Sequence, residues 1–377
     1  MRALLVTYDF PPIISGISTY LYQLCRPFTE AGFVVLAPKV EGAREFDRSS
    51  SLATVRYPHP ADEPLLRFAI LLPCVLLWCL RKKIDTLVCA VPVSLGAIGL
   101  VCKRLLGIRY CVCYYGGEWE KYKRNILLFP LLRAVLAQAH YVIADSAFSA
   151  AEAAHYGIAG ERIVTITPAV DSGVFRPDID CADLRRSLQL EGKKVLLTVA
   201  RLVKRKGIDV VIQALPAIKQ SVPGITFVVV GNGPERQQLC ALAVRLGVQD
   251  EVVFTGYVPD AALPCYYNLC DLYVMPTRTT VGEDETLEGF GISFLEAAAC
   301  GKSAVGGLSG GVQEAVLDKT TGILADPDQP GVIARAITDL LRDDTARKTL
   351  GDNARRRVER AFSWGERSAR LKELLQC

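Results

Sequence analysis

The chain has 377 residues, of which 50% are hydrophobic and 22% charged, and its formal net charge is +4. This composition is typical of a globular α/β protein with material for two cores of ordinary domain size. The mild charge, and a sequence that resembles no DNA- or RNA-binding module, disfavour a nucleic-acid binder and leave locally basic patches for phosphates or anionic lipid.

Cysteine usage and the amino terminus bear on the compartment. The 13 cysteines include no C-x-x-C pair, their number is odd, and several lie in apolar runs. This pattern predicts a reduced chain without a structural metal. The apolar run after Arg2 is broken by Thr7, Tyr8 and Asp9, so we expect no secretory signal and a cytosolic chain.

The first half alternates strand-like and helical segments. Residues 2–8 predict a buried parallel strand, residues 9–16 a loop and residues 17–28 an amphipathic helix. Gly16 stands at the start of that helix, where a missing side chain lets the backbone approach a phosphate. A further strand, residues 110–115, leads into Gly117 and Glu118 at its carboxyl end, the edge at which open α/β sheets bind ligands.

Residues 65–80 form the most apolar stretch and end in Arg81, Lys82 and Lys83. The stretch contains Arg67 and Pro73 and is shorter than the roughly 20 apolar residues that a membrane-spanning helix needs. Two interpretations stay open: a crossover helix buried against the first sheet, or an interfacial membrane helix. The basic triplet, with more basic residues at 103–104 and 121–124, could meet anionic lipid.

The second half repeats the alternation of strands and helices. Residues 194–200 predict a strand, and a basic loop with Arg201 and Lys206 follows at its carboxyl end, before a helix near residues 208–219. After the strand 225–230, Gly231-Asn232-Gly233 begins like a dinucleotide fingerprint. Arg236 replaces its third glycine, which disfavours an NAD oxidoreductase.

The stretch from Glu288 to Glu296 joins a glycine-containing loop to a helix start. Residues 294–300 favour helix, so Gly289 and Gly291 precede a helix N-terminus, where unpaired amides and the helix dipole attract anions. A diphosphate would bind there, with both carboxylates beside it to accept hydrogen bonds from sugar hydroxyls. An isolated pair of glutamates is more often ordinary surface, so this hypothesis depends on the neighbouring motifs.

Those motifs resemble a known signature. Glu288-x7-Glu296, followed by Ala297-Ala298-Ala299-Cys300-Gly301 and Gly310-Gly311-Val312-Gln313-Glu314, resembles the retaining glycosyltransferases of family 4. The sequence around residues 285–311 is similar to PimB-type mannosyltransferases, which favours GDP-mannose over a UDP-hexose as the donor.

The resemblance implies a GT-B fold of the α/β class, with two facing Rossmann-like doubly wound domains and a cleft between them. Residues 1–175 would form the acceptor domain, residues 190–360 the nucleotide-sugar donor domain, and residues 361–377 a helix crossing back to the first. The implied activity is retaining, metal-independent transfer of a hexose from a nucleotide diphosphate sugar to a lipid-linked or glycan acceptor, as in cell-envelope polysaccharide or glycolipid synthesis. We expect no cofactor, no nucleic acid, and peripheral association with the cytosolic face of an inner membrane.

The same resemblance assigns residue roles. Glu288 would hold the sugar hydroxyls, while Arg201 and Lys206 would stabilise the departing diphosphate by charge. Glu296 would hold the ribose, and Gly117 and Glu118 would face the acceptor. The other donor contacts, with the backbone of residues 256–258 beside the nucleobase, would be Gly16, Gly231, Gly256, Tyr257, Val258, Gly289, Phe290, Gly291 and Ile292.

The chain departs from the family at one loop. PimB-type enzymes carry His-Gly-His-Glu where this chain has Tyr115-Gly116-Gly117-Glu118, so no histidine can be assigned to catalysis there. Two other hypotheses stay open: a sugar-nucleotide epimerase or hydrolase of the same fold, and a catalytically silent sugar-nucleotide-binding or membrane adaptor. The polar loop at residues 277–286 is expected to move over the donor.

Overall fold

A computed structural model describes residues 2–29, 32–58, 64–280 and 287–376. The chain forms two compact units, one of Met1–Pro168 with Trp364–Cys377 and one of Ala169–Ser363. His59 and residues 281–286 of the polar loop lie outside the described residues.

The first unit contains a parallel sheet of seven strands. They are β1 (Ala3–Val6), β2 (Phe33–Lys39), β3 (Thr54–Pro58), β4 (Thr86–Cys89), β5 (Arg109–Tyr114), β6 (Tyr141–Ala144) and β7 (Ile163–Thr165). Their order is β3-β2-β1-β4-β5-β6-β7. β1 and β4 are buried along their whole length, as expected when helices cover both faces of a parallel sheet.

Within the described ranges, seven α-helices connect these strands. They are α1 (Gly16–Cys25), α2 (Ala43–Ser49), α3 (Pro64–Lys82), α4 (Ser94–Leu106), α5 (Glu118–Tyr122), α6 (Leu128–Gln138) and α7 (Ala147–His155). Ser15 begins α1 and Ser146 begins α7, each by accepting a hydrogen bond from the N–H three residues on, at 3.0 Å. Within the described ranges, no helix combines the length and hydropathy needed to cross a bilayer.

In its described residues, the second unit repeats the plan with six strands and eight α-helices. The strands are β8 (Lys194–Val199), β9 (Ile225–Val230), β10 (Val252–Gly256), β11 (Leu272–Met275), β12 (Ala304–Gly307) and β13 (Gly322–Ala325), in the order β10-β9-β8-β11-β12-β13. The helices are α8 (Ala182–Ser187), α9 (Ile208–Ser221), α10 (Arg236–Arg245), α11 (Leu263–Leu269), α12 (Ile292–Ala299), α13 (Val312–Ala315), α14 (Pro330–Arg342) and α15 (Asp344–Ala361).

The last helix, α16 (Trp364–Gln376), belongs to the first unit. Ser368 on α16 donates a hydrogen bond to the carbonyl of Leu24 on α1 at 2.7 Å, and Trp364 packs against Tyr20. The end of the chain is therefore built into the unit that its beginning forms.

In each sheet, the order in which the chain adds strands changes direction once. The chain moves outward from β1 to β3 and then returns to β4 beside β1, and it does the same from β8 to β10 and back to β11. Loops at the carboxyl ends of the two strands that flank such a switch point form the usual ligand site of an open α/β sheet. The two doubly wound sheets confirm the predicted class of two Rossmann-like units.

Substitution of Gly207 tests how closely the loop after β8 packs against its neighbours. The φ of Gly207 is +69°, and a Cβ there would lie under 3.0 Å from the Pro276 carbonyl oxygen. Gly192 has the same φ of +69°, with nothing within 4 Å of its Cβ position. Gly192→Ala should therefore lower the free energy of unfolding only by the left-handed backbone penalty of about 1–2 kcal/mol. Gly207→Ala should lower it by about 2 kcal/mol more, because its Cβ also meets the backbone of Pro276. Urea unfolding of both variants measures the difference, and equal losses would contradict the close packing.

Candidate active site

The switch point of the second sheet brings opposite charges together. Lys206 ends a short turn after β8, and Glu288 lies between β11 and α12. Lys206 Nζ and Arg205 Nη1 both donate to Glu288 Oε2, the latter at 2.5 Å. The Lys206 and Glu288 side chains are only 12% and 11% exposed, so this is a buried ionic cluster.

The cluster keeps its carboxylate ionised. Burial by itself would raise the pKa of Glu288, but Lys206 and Arg205 together hold that pKa below its ordinary value. Burial, with Arg205 beside it, lowers the pKa of Lys206, and Glu288 offsets part of that effect. Two cations face one carboxylate, so the cluster retains a positive charge that can attract an anion.

The sequence pattern identified Arg201 and Lys206 in the basic loop, and the structure separates them. The Arg201 side chain is exposed, whereas Arg205 bonds Glu288 directly. Arg205 was missed because a run of basic residues gives no sign of which side chain turns inward.

The backbone around Glu288 is held by a glycine loop. The Glu288 carbonyl accepts a hydrogen bond from Gly311 N–H at 3.0 Å, and a Cβ on Gly310 would lie under 3.0 Å from that carbonyl oxygen. Gly291, at φ +91°, precedes α12, which begins at Ile292, so the helix N-terminus lies three to four residues after Glu288.

The side chain of Phe290, two residues after Glu288, is buried. Phe290 is 2% exposed and packs against Phe362, so its side chain belongs to the core. Gly289 lies between it and Glu288. Only the backbone at residue 290 is therefore available to a ligand.

Glu296 lies on the second turn of α12, in a different environment. Tyr267 on α11 donates a hydrogen bond to Glu296 Oε2 at 2.5 Å. Burial raises the pKa of Glu296 to about 7, although the Tyr267 bond lowers it. No local pattern predicts the role of Tyr267, because the pairing depends on how α11 packs against α12.

Three successive loops at the same sheet edge interlock. Gly231, at φ +126°, would place a Cβ under 3.0 Å from the Ala200 carbonyl oxygen, and its N–H donates to Gly256 O at 2.8 Å. Tyr257 and Val258, which follow β10, line a cavity of about 470 Å³ in this unit. Close packing alone explains the glycine at residue 231.

The predicted acceptor loop in the first unit is held by a residue that the sequence analysis missed. Glu152 on α7 accepts hydrogen bonds at 2.8 Å from Gly117 N–H and from the Tyr114 hydroxyl. Glu118 Oε1 accepts from Tyr115 N–H at 3.4 Å, and in the described part of the chain its buried Oε2 has no hydrogen-bond partner. Burial raises the pKa of Glu118 to about 8, so its carboxyl is largely protonated at neutral pH.

Gly16 differs from Gly231 and Gly310 in having open space beside it. A Cβ at this position would have nothing within 4 Å, so the fold itself leaves room beside the start of α1. Across the described ranges, no group of three or more His, Cys, Asp or Glu residues is arranged to hold a metal ion.

A double-mutant cycle tests the ionic cluster. Glu288→Gln leaves Lys206 and half-buried Arg205 without their carboxylate, so it should cost about 1–3 kcal/mol of unfolding free energy, as should Lys206→Met. Because both variants break one contact, their effects in the double variant should differ from additive by at least about 1 kcal/mol. The cycle of Arg201→Met with Glu288→Gln, measured by the same denaturation, is the control and should be additive within about 0.5 kcal/mol. Additive losses for Lys206 and Glu288 would contradict the pairing.

Glu296 should give stability a pH dependence. Folded Glu296 keeps its proton up to about pH 7, above the ordinary glutamate value of 4.5. The native state then binds more protons than the unfolded state, so this group's contribution to stability falls as pH rises between those values. The free energy of unfolding of Glu296→Gln, measured relative to wild type, should therefore rise by about 1–3 kcal/mol between pH 4.5 and pH 7 and stay constant above pH 7. Urea unfolding of wild type and variant at pH 5 and pH 8 checks this, with the exposed substitution Glu191→Gln as the control. If the stability difference between Glu296→Gln and wild type is the same at both pH values, burial does not raise the pKa of Glu296.

The chain is similar to known proteins over its whole length. Residues 14–173 match Glycosyltransferase Family 4, and residues 181–357 match Glycosyl transferases group 1. It is 33% identical to the GDP-mannose-dependent alpha-(1-6)-phosphatidylinositol monomannoside mannosyltransferase of Mycolicibacterium smegmatis, over 99% of this chain and 97% of that protein. The protein of the same name from Mycobacterium tuberculosis is 31% identical, over 100% and 98%.

Solved structures agree on the fold. HepE of Anabaena in complex with UDP-glucose matches with a TM-score of 0.86 at 21% identity, over 100% of this chain and 99% of that chain. Sucrose-phosphate synthase from Thermosynechococcus elongatus matches with a TM-score of 0.83 at 21% identity, over 100% and 98%. These likenesses confirm the predicted GT-B fold, and the relatives confirm the resemblance to PimB-type enzymes. The chain belongs to the family 4 glycosyltransferases and is a glycosyltransferase.

Proposed function

We propose that the chain transfers a hexose, mannose in the first instance, from a GDP-sugar to a hydroxyl of a lipid-linked or glycan acceptor, with retention and without a metal. The observation that carries the proposal is the buried cluster of Arg205, Lys206 and Glu288 beside the N-terminus of α12. The full-length relatives, named as GDP-mannose-dependent mannosyltransferases, support the choice of donor.

The cluster suits a diphosphate. Its net positive charge and the helix dipole at the start of α12 both favour an anion. As the bond between the sugar C1 and the phosphate oxygen breaks, negative charge develops on the departing GDP. Lys206 and Arg205 stabilise that charge, the work that a bound metal does in many transferases, and exposed Arg201 adds a third cation in the same loop.

The same cluster prepares Glu288 to hold the sugar. An ionised carboxylate accepts hydrogen bonds from hydroxyl groups and cannot donate them. Both cations contact Oε2, which leaves Oε1 as the acceptor for sugar hydroxyls. A carboxylate held by two cations is also a weak nucleophile, which favours this role over a covalent sugar intermediate.

The proposed reaction needs no histidine at residue 117. The acceptor oxygen attacks C1 from the face that GDP leaves, and the C1–O electrons pass to the phosphate oxygen. That oxygen then takes the acceptor proton, which balances the transfer. Gly117 and the neutral carboxyl of Glu118 would lie on the acceptor side, while Glu296 would bind the ribose and residues 256–258 the base.

The donor and the role of Glu288 are tested together. GDP at 100 times its dissociation constant should stabilise the chain by about 2.7 kcal/mol in the presence of EDTA, whereas UDP, ADP and dTDP should have little effect. Glu288→Gln should slow mannosyl transfer at least about tenfold while keeping the stabilisation by GDP, because the bare nucleotide has no sugar for Glu288 to hold. Thermal unfolding and a radiolabelled transfer assay provide the two measurements.

Each other outcome has a defined meaning. Selective stabilisation by UDP would replace the mannosyl donor by a UDP-hexose, and no stabilisation by any nucleotide would contradict the transferase proposal. Equal loss of transfer and GDP binding in Glu288→Gln would show that Glu288 acts by positioning Arg205 and Lys206 on the phosphates instead of holding the sugar. Donor consumption without an acceptor would indicate a hydrolase or an epimerase, and an inverted anomeric signal in the product NMR spectrum would refute retention.

A further inference from the structure

Two cysteines of the second unit lie side by side. Cys181 directly precedes α8, Cys265 lies on α11, and these two helices pack against each other. Cys265 Sγ donates a hydrogen bond at 3.5 Å to the carbonyl of Asp180, the residue before Cys181. Cys181 Sγ donates to the Ile179 carbonyl at 3.1 Å, and the two thiol groups are in hydrogen-bonding contact with each other. The fold therefore joins two thiols that are far apart in the chain.

Exposure separates this pair from a second pair in the first unit. Cys79 on α3 and Cys102 on α4 also contact each other, but they are 2% and 0% exposed, so a reagent in solution does not reach them. Cys181 and Cys265 are partly exposed, and both line the cavity of about 470 Å³ to which Tyr257 contributes. A small molecule that enters this cavity meets both sulfurs.

The chemistry of such a pair is thiol–disulfide exchange. Burial, together with the Cys265 thiol, raises the pKa of Cys181 to about 12, so Cys181 stays protonated at neutral pH. We therefore expect Cys265 to react first. Its thiolate attacks one sulfur of a small disulfide and releases one small thiol, which leaves a mixed disulfide on Cys265.

The second step closes the bond within the chain. Cys181 loses its proton to solvent, and its sulfur attacks the Cys265 sulfur of the mixed disulfide and releases the second small thiol. In the net reaction the two protein thiols lose two electrons and two protons, and the small disulfide gains them as two thiols. Because thiolate is the attacking form, a higher pH speeds this step.

A metal ion fits the pair less well than an oxidant does. A structural zinc takes four ligands, and among the residues that the structure describes no third His, Cys, Asp or Glu is arranged with these two to hold a metal. Asp180 and Asp183 also line the cavity, so a small disulfide without negative charge meets no like charge there.

The bond would alter the cavity itself. An S–S bond is about 2.05 Å long, shorter than any contact between sulfurs that are not bonded. Its formation therefore draws the start of α8 towards α11. Tyr257 and Val258 line the same cavity, and they belong to the segment that we assign to the nucleobase.

We propose that Cys181 and Cys265 form a reversible oxidation site, at which a low-molecular-weight disulfide converts the two thiols into an intrachain disulfide. The bond narrows the cavity and weakens nucleotide binding, and a dithiol reductant restores it. Formation of the bond is independent of the proposed function. Only its effect on GDP rests on that function.

The neutral reagent 2-hydroxyethyl disulfide tests the bond on the full chain at about pH 8, where thiolates form more readily. Mass spectrometry of unreduced digests should show a peptide pair linked through Cys181 and Cys265. Cys240 on α10 is also partly exposed and serves as the internal control, which should carry only the mixed disulfide. The link should disappear in Cys181→Ser and in Cys265→Ser, should persist in Cys240→Ser, and should be reversed by dithiothreitol.

Calorimetric titration of GDP tests the consequence. The oxidised wild type and the oxidised Cys240→Ser variant should bind GDP at least about fivefold more weakly than their reduced forms, the lower end of the usual range for coupled sites. Cys181→Ser/Cys265→Ser should stay within about twofold under the same treatment, since it cannot form the bond. Circular dichroism shows that each variant is folded.

Three results would overturn the proposal. They are mixed disulfides on Cys181 or Cys265 without the link between them, a link from either residue to a different cysteine, and an oxidised wild type that binds GDP as tightly as the reduced form. The failure of the proposed function has a different signature. Reduced wild type would then bind no GDP, while the linked peptides would still establish the oxidation site.

Discussion

The buried contact of Arg205 and Lys206 with Glu288 is the interaction on which the second unit's site depends. Removing such charges from water is costly, and the cost is recovered only when the partners are held in good geometry. Glycines provide that geometry, since Gly207 lets the loop after β8 pass close to Pro276 and Gly310 lets another loop pack on the Glu288 backbone. These close backbone contacts therefore hold the charged side chains of the site in position.

Three glutamates show how environment decides the chemistry of one residue type. Glu288 is buried beside two cations and stays ionised, so it can only accept hydrogen bonds. Burial raises the pKa of Glu296 to about 7 in spite of the Tyr267 hydrogen bond, which lowers it, and burial, with Glu152 nearby, raises the pKa of Glu118 to about 8. The chain thus offers an anion in the second unit and a neutral carboxyl in the first.

The two units share a strand order but differ in how their loops are held. In the second unit, charges and glycines fix the loops at the sheet edge. In the first unit, Glu152 fixes the Gly116-Gly117 loop through its backbone, so this loop keeps a defined shape without the histidines of the similar enzymes. The outer helices of the first unit carry exposed leucines beside basic residues, as at Leu80 and Arg81.

Local patterns in the sequence were sufficient for the fold class, the family and the glycine-preceded start of α12, because each depends on residues a few positions apart. The sequence also placed Lys206 and Glu288 in one site, and the structure brings them together. Only the tertiary structure shows that Arg205, and not Arg201, contacts Glu288. It also pairs Tyr267 with Glu296, and it places Glu152 where it accepts a hydrogen bond from Gly117 N–H. These contacts join residues far apart in the chain, for which no local spacing carries a signal. In α3 the apolar pattern covers both faces, so periodicity could not show which leucines are buried, and packing against α4 decided it.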